Sequence, residues 1–332
     1  MGKKDTVTKK YIKDNHIFAD IFNYLIYHGE TVIQPEQLKT ADSTEIGIPY
    51  MEKGTSFPVQ KYRDELKSIT IMKDSSHIYL LLGIENQSDI HYAMPVKNMV
   101  YDALQYASQI EKASKKHRLE KQKTHSNIDN ITSKPSAAEY LTGFYKEDRL
   151  TPVITLVVYW GTEAWEAPLN LHDMFSVKEP EILSFIPDYQ INLIAPAFMD
   201  DQELNKFQTS LREVFLFVKY SKNKQKLYET ITTDSRYKNL EKQAAMVINV
   251  LTGAKLQFDE KNSEVIDVCK AIEDMRTEER ELGRTEGHTE ATLSAVKNLI
   301  IKQGLTVKQS MDILDIPHSK YDYYAEKLHE YV

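Results

Sequence analysis

The sequence contains a single cysteine, Cys269, among 332 residues. One cysteine excludes an intramolecular disulfide, and it cannot supply the several thiolates of a cysteine-based zinc site. The sequence therefore predicts a protein of a reducing compartment, and we expect a cytoplasmic location. Glycine is also scarce, with 11 residues, which favours long helices over a loop-rich β architecture.

Long apolar runs are missing as well. No stretch approaches the roughly 18 consecutive apolar residues that a membrane-spanning helix needs, so no membrane partner is predicted. The N-terminal residues MGKKDTVTKKYIKDN are charged and lack the apolar core of a signal peptide. The sequence has no HExxH, Walker A, GxSxG or GxGxxG pattern, which weakens the case for zinc peptidases, NTPases, serine hydrolases and dehydrogenases. The net charge of -7 does not indicate nucleic-acid binding, although local basic patches still attract phosphates.

Apolar periodicity predicts an α/β fold. A helix is expected around Ile17–Ile26, ended by Gly29, and a second helix after Pro95. Strands are predicted over Ser43–Tyr50, Arg63–Lys73, His77–Gln87, Pro152–Trp160 and Ile191–Pro196. This order predicts a small mixed sheet, flanked by helices, that starts as an antiparallel meander and then gains parallel strands.

The helix after Pro95 has an apolar stripe that is predicted to face the core: Val96, Met99, Val100, Ala103, Leu104, Ala107 and Ile110. Its polar residues are predicted to face solvent: Lys97, Asn98, Asp102, Gln105 and Gln109. The polar sequence that follows, from about Lys115 to Lys134, is predicted to be a loop.

From about Asp201 onward the pattern is helical. The last stretch, Gly304–Leu328, predicts two short helices joined by the sequence DIPHS. A helix-turn-helix that binds DNA and a helical hairpin that binds protein both remain open for it, because a recognition helix is usually more basic. The charge-rich helix Glu278–Ile300 could mediate a homo-oligomer.

Two acids fall opposite each other in a predicted hairpin. If Met72 faces His77 across the turn at Lys73–Ser76, then Asp64 lies opposite Glu85. Cross-strand partners share a face with Cβ atoms about 5 Å apart, and Gln87 points to the same face. Opposed carboxylates repel each other unless a cation compensates, and oxygen ligands suit Mg²⁺ or Mn²⁺. The alternative is that both acids lie in solvent at a strand edge, or that the register differs.

These residues carry a resemblance to a known family. The segment YRDELK, followed by YLLLGIENQSDIHYAMPVKNMVYDALQYA, resembles the core of the recombination-promoting nuclease/putative transposase family. The residues that resemble the family's motifs are Asp64 on one strand and IENQS on the next, followed by Met94-Pro95 and Tyr101. TPVITLVVYWGTEAW and INLIAP resemble later strands, and the similarity covers roughly residues 10–215.

The resemblance implies a restriction-endonuclease-like core of the PD-(D/E)XK superfamily and Mg²⁺- or Mn²⁺-dependent hydrolysis of DNA. It implies that Asp64 and Glu85 bind the metal and that Gln87, where the superfamily usually has lysine, orients water. Gln is usual at this position in the family itself. Asp20 is a candidate further acid, although a solvated helix residue is the simpler interpretation. The implied domains are residues 1–220, the nuclease-like domain, and residues 221–332, a helical extension.

A basic segment follows the predicted site. Its residues are Lys112, Lys115, Lys116, Arg118, Lys121 and Lys123, with Glu120 as the acid among them. We expect Lys97, Lys115, Lys116 and Arg118 to contact DNA; a solvated helix end is the alternative. The competing function is a DNA-binding or protein-interaction module with little or no activity, and the intact acid pair favours the enzyme.

Overall fold

The computed structural model describes residues 3–41, 44–47, 59–62, 64–73, 76–124, 135–257 and 264–330. The helices are α1 Lys3–Ile12, α2 Asn15–Tyr27, α3 Met94–Thr124, α4 Ala137–Thr142, α5 Pro180–Leu183, α6 Asp201–Leu204, α7 Leu211–Tyr220, α8 Lys224–Thr233, α9 Lys242–Thr252, α10 Val268–Gln303, α11 Val307–Ile313 and α12 Tyr321–Glu330. The strands are β1 Lys39–Thr40, β2 Thr44–Gly47, β3 Val59–Tyr62, β4 Glu65–Lys73, β5 Ser76–Gln87, β6 Val153–Tyr159, β7 Asn192–Ile194, β8 Leu240–Glu241 and β9 Val265–Ile266.

A mixed five-stranded sheet forms the centre of the first part of the chain, with the order β1-β4-β5-β6-β7. Strands β1, β4 and β5 pair antiparallel, and β5, β6 and β7 pair parallel. The predicted order of antiparallel strands followed by parallel strands is confirmed. The strand predicted at Ser43–Tyr50 is not in this sheet: its described part, β2, pairs with β3 in a separate two-stranded sheet. Strand β5 is central because β4 and β6 pair with its two edges. Its nearly continuous apolar sequence is typical of a strand that is covered on both faces of the sheet.

Helix α2 shows how local sequence signals fix one wall of the core. The Asp14 side chain caps its N-terminus by accepting from the backbone N–H groups of His16 and Ile17. Phe18, Ile21 and Phe22 are fully buried along one stripe. The helix ends at His28, which adopts φ 55°, followed by Gly29 at φ 96°. A Cβ at Gly29 would lie 2.9 Å from the Lys206 Cβ, so this turn needs glycine.

The face of helix α3 that packs on the core is not the face predicted from the sequence. Asn98, Asp102 and Gln105 are buried, whereas Ala103 and Ala107 of the predicted apolar stripe are exposed. For Asp102, the sheet side offers hydrogen-bond donors. The Asp102 carboxylate accepts from Thr155 Oγ1 at 2.5 Å and from the Tyr189 hydroxyl at 2.6 Å. Periodicity alone therefore assigned the wrong face to the core.

Helix α3 is also longer than predicted. It continues to Thr124 instead of becoming a loop near Lys115. Lysine, arginine, glutamate and glutamine have good helix propensity. Lys115 pairs with Glu111 at 2.7 Å, one turn earlier on the helix. The rest of the predicted loop, 125–134, lies outside the described residues.

The chain divides into two compact units. The first comprises Met1–Lys255 and Asp259–Ile266, and the second comprises Leu256–Phe258 and Asp267–Val332. The division at residue 220 stays a prediction; the compact unit in the structure runs on through α8 and α9. In the second unit, the predicted pair of short helices is present as α11 and α12. They pack on α10 around Leu293, Val296, Met311, Ile316, Tyr324 and Leu328.

None of the helices among the described residues combines the length and apolarity that crossing a bilayer requires.

Candidate functional site

The β4–β5 hairpin has the predicted register. Met72 pairs with His77, and the ladder runs on to Glu65 opposite Ile84. Asp64 immediately precedes β4 and lies beyond this last pair. The register therefore brings Asp64 to the end of β5 where Glu85 lies.

The Asp64 carboxylate contacts both β5 and α1. Oδ2 accepts a hydrogen bond from the backbone N–H of Asn86 at 2.8 Å, and Oδ1 forms an ion pair with Lys9 Nζ at 2.8 Å. The side chain is 13% exposed. The Asp64 carboxylate is thus bound to the backbone of Asn86, the residue that follows Glu85, and the Lys9 ammonium lies beside it.

The Glu85 carboxylate points toward α3. Glu85 is 2% exposed, and its Oε2 lies 2.9 Å from Lys97 Nζ. The Lys97 side chain is 25% exposed and extends near the Tyr101 ring, 5.8 Å from its centroid. Lys97 was predicted to contact DNA; the structure places its ammonium on a predicted metal ligand.

Gln87 ends β5. Its backbone carbonyl accepts from the Trp160 N–H at 2.9 Å, and its half-buried side chain shares the strand face of Glu85. Asn86 faces the other way and accepts from Trp160 Nε1 at 3.0 Å. The site therefore occupies one face of β5 at its carboxyl end, where open α/β sheets commonly bind ligands.

A cavity of about 290 Å³ opens beside this strand end. Lys4, Ser88, Tyr159 and Gly161 are among its lining residues. Burial raises the pKa of the Tyr159 hydroxyl, with Glu163 and Asp89 adding to the effect. A Cβ at Gly161 would lie 2.2 Å from the Tyr159 ring, so glycine keeps this ring in place.

Asp20 is neither solvated nor among the residues at the end of β5. It is 5% exposed, and its carboxylate accepts from the Gln208 N–H and from the Thr209 N–H and hydroxyl at 2.6–3.0 Å. The prediction of a solvated residue is wrong. The contacts indicate that Asp20 holds the segment before α7.

Asp20→Ala is expected to destabilise the protein by about 2–3 kcal/mol, because several donors lose a charged acceptor. Asp20→Asn keeps one acceptor oxygen and should lose less. Urea unfolding measures both effects. Equal stability of Asp20→Ala and wild type would contradict the structural role.

The basic segment lies on the last turns of α3. Lys115 and Lys116 are exposed and pair with Glu111 and Glu120, and Arg118 is exposed. Lys115 follows Lys97 by 18 residues, which is about 27 Å along a helix axis. The segment is therefore too far away to contact the phosphate nearest Glu85. Its contact with DNA stays a prediction, and such a contact would occur farther along the duplex.

The sequence prediction missed α1. Residues 3–13 contain five lysines and one acid, Asp5. Lys9 reaches Asp64, and the Ser88 hydroxyl donates to the Asp5 carboxylate at 3.3 Å. The local signal for this helix is a basic run that ends in the apolar residues Tyr11 and Ile12.

Two carboxylates fit the way Mg²⁺ is commonly bound, by one or two acids with water and substrate phosphate completing the shell. Each carboxylate already forms an ion pair with a lysine ammonium, so each lies where a positive charge can bind. Within the described residues, no group of three or more His, Cys, Asp or Glu side chains is placed to hold a metal ion. The chain's own acids would therefore supply only part of a coordination shell.

Comparison with known proteins gives one match. Residues 135–245 match the family described as "Putative transposase, YhgA-like". This segment includes β6, β7 and α7 but lies after Asp64, Glu85 and Gln87. No curated protein and no solved structure matches the chain. The match confirms the predicted resemblance to a putative transposase family over this segment of the chain.

Proposed function

We propose that this protein is a divalent-metal-dependent DNA endonuclease with a restriction-endonuclease-like core. The observation that carries the proposal is the convergence of Asp64 and Glu85 on the carboxyl end of β5, each beside a lysine ammonium. The family match suggests a role in transposition, a process in which phosphodiester bonds are broken.

Asp64 and Glu85 would hold Mg²⁺ or Mn²⁺ at this strand end. When bound, such an ion polarises the scissile phosphate and lowers the pKa of a water molecule. The Gln87 side chain, on the face of Glu85, orients the attacking water through neutral hydrogen bonds. Gln87 itself adds no positive charge to the site.

Lys97 supplies the positive charge that Gln87 lacks. Its ammonium, 2.9 Å from Glu85 Oε2, comes from α3 to the same end of β5. A cation fixed in advance where negative charge develops stabilises the transition state. In the resting protein the same ammonium balances the buried Glu85 carboxylate.

Purified protein is expected to nick or cut duplex DNA when Mg²⁺ or Mn²⁺ is added, and EDTA should stop the reaction. Supercoiled plasmid reports nicking and linearisation in one gel. Calcium serves as a control, because it also prefers oxygen ligands but accepts more of them in a looser geometry. Undiminished cleavage in EDTA would contradict metal dependence. Salt-dependent DNA binding without cleavage under any of these ions would instead support the binding-module alternative.

A further inference from the structure

We propose that the exposed face of α1 is a docking surface for the sugar-phosphate backbone of nucleic acid beside the acid pair. The inference rests on the proposed function and names a surface for its substrate.

The exposed face of α1 is a basic stripe. Lys3, Thr6, Lys10 and Lys13 are exposed and follow the i, i+3, i+7, i+10 spacing of one helix face, continued by one residue past its end. Thr8, Tyr11 and Ile12, on the opposite face, are 0–2% exposed. The buried face fixes the rotation of the helix, so the lysines must point outward.

Helix α1 is held firmly against the rest of the first unit. The Tyr11 hydroxyl and Ser210 Oγ are 2.9 Å apart in a buried hydrogen bond. Lys67 Nζ, from β4, donates to the Lys13 backbone carbonyl at 2.6 Å. A fixed helix loses little further backbone freedom when a ligand binds, which favours its use as a docking surface.

The basic stripe lies next to the candidate site. Lys9, one position before Lys10, reaches Asp64 at 2.8 Å, and Lys4 lines the cavity beside β5. From Lys3 to Lys13 the rise is about 15 Å. One strand of B-DNA carries a phosphate about every 3.4 Å of axis, so a helix aligned with the duplex axis would span the rise of about four phosphates.

The composition of the stripe indicates the kind of ligand. Lysine is a compact point charge suited to phosphate, and a row of lysines without arginine, asparagine or glutamine lacks most of the side chains that read base edges in the grooves. Lys3, Lys10 and Lys13 offer charge without this readout. We therefore expect binding that depends strongly on salt and little on sequence.

The test compares three triple variants of the full chain. The stripe variant is Lys3→Gln/Lys10→Gln/Lys13→Gln, and the α3 variant is Lys115→Gln/Lys116→Gln/Arg118→Gln. The control variant is Lys224→Gln/Lys226→Gln/Lys238→Gln. The control removes the same charge from exposed positions of the same unit. Fluorescence anisotropy with a labelled 30-base-pair duplex in EDTA measures affinity from 50 to 200 mM salt. The stripe variant should bind at least about tenfold more weakly at 50 mM, and its log–log salt slope should fall by about 2–3, near one unit per lost phosphate contact.

The outcomes distinguish a failure of the proposed docking surface from a failure of the proposed nuclease function. If the stripe variant binds like the control while wild type cleaves DNA, the surface assignment is wrong and the proposed function stands. If binding depends on the stripe but wild type never cleaves, the surface stands and the nuclease proposal falls. Vesicles containing phosphatidylserine test the other anionic partner: lysine-dependent vesicle binding with unchanged DNA affinity would overturn the proposal. Thermal melting of all variants checks that they remain folded.

Discussion

Asp64→Ala and Glu85→Ala are each expected to lower single-turnover DNA cleavage at least about 100-fold, equivalent to about 3 kcal/mol of transition-state stabilisation. Both acids lie at the end of β5, and removing either one leaves a single carboxylate to hold the metal. Cleavage of plasmid by excess enzyme in Mn²⁺ measures the rate. Calorimetry should show weaker Mn²⁺ binding in both variants.

Glu65→Gln is the matched control for these variants. Glu65 is the residue after Asp64, and burial raises the pKa of its carboxyl, against the opposing effect of Lys67 and Lys13. Its side chain approaches Lys13 at 3.9 Å and, because Glu65 pairs with Ile84, shares the strand face of Ile84 and not that of Glu85. We expect Glu65→Gln to cleave at nearly the wild-type rate. A folded Asp64→Ala or Glu85→Ala variant with full activity would remove the acid pair from the mechanism.

Lys97→Met is expected to lower both stability and activity. Breaking a fully buried ion pair costs about 3–5 kcal/mol, and we expect about 2 kcal/mol here because Lys97 is 25% exposed. Mn²⁺ should recover much of this stability, since a ligand that binds the folded state stabilises it. Urea unfolding with EDTA and with Mn²⁺ measures the difference.

The activity of Lys97→Met should fall at least about tenfold, and Lys97→Arg should retain most of it by keeping the charge. Adding Gln87→Lys to Lys97→Met returns a cation to the same strand end and should restore cleavage if the longer side chain fits. This rescue separates a role in the reaction from a purely structural one. If Lys97→Met is as stable as wild type and cleaves DNA at the same rate, the Glu85–Lys97 contact has neither role.

The sequence predicted the sheet well because its central strands are buried on both faces. The apolar runs of β5 and β6 indicate strands covered on both faces, as the central strands of a sheet are. The short connection between Lys73 and Ser76 set the register that carries Asp64 to β5. The face of α3 was wrong because periodicity records which residues are apolar, not which polar residues find partners such as Thr155 and Tyr189.

The lysine contacts were not predictable in the same way. Lys97 meets Glu85 across 12 positions, and Lys9 meets Asp64 across 55. Both contacts depend on how a helix packs beside β5, which no local spacing specifies. The lysines of α1 could be read as a basic run, but their proximity to the acids follows only from the tertiary fold.

The bond from the Asn86 N–H to Asp64 gives this acid a second role. One residue past the last ladder pair, a carboxylate oxygen accepts the backbone N–H of Asn86 and so holds the end of the hairpin. Natural selection for correct folding would therefore retain an acceptor at position 64 even in a relative without nuclease activity. An aspartate there is accordingly a poor sign of activity among relatives. Joint loss of Glu85 and Gln87 would mark a degenerate enzyme more reliably.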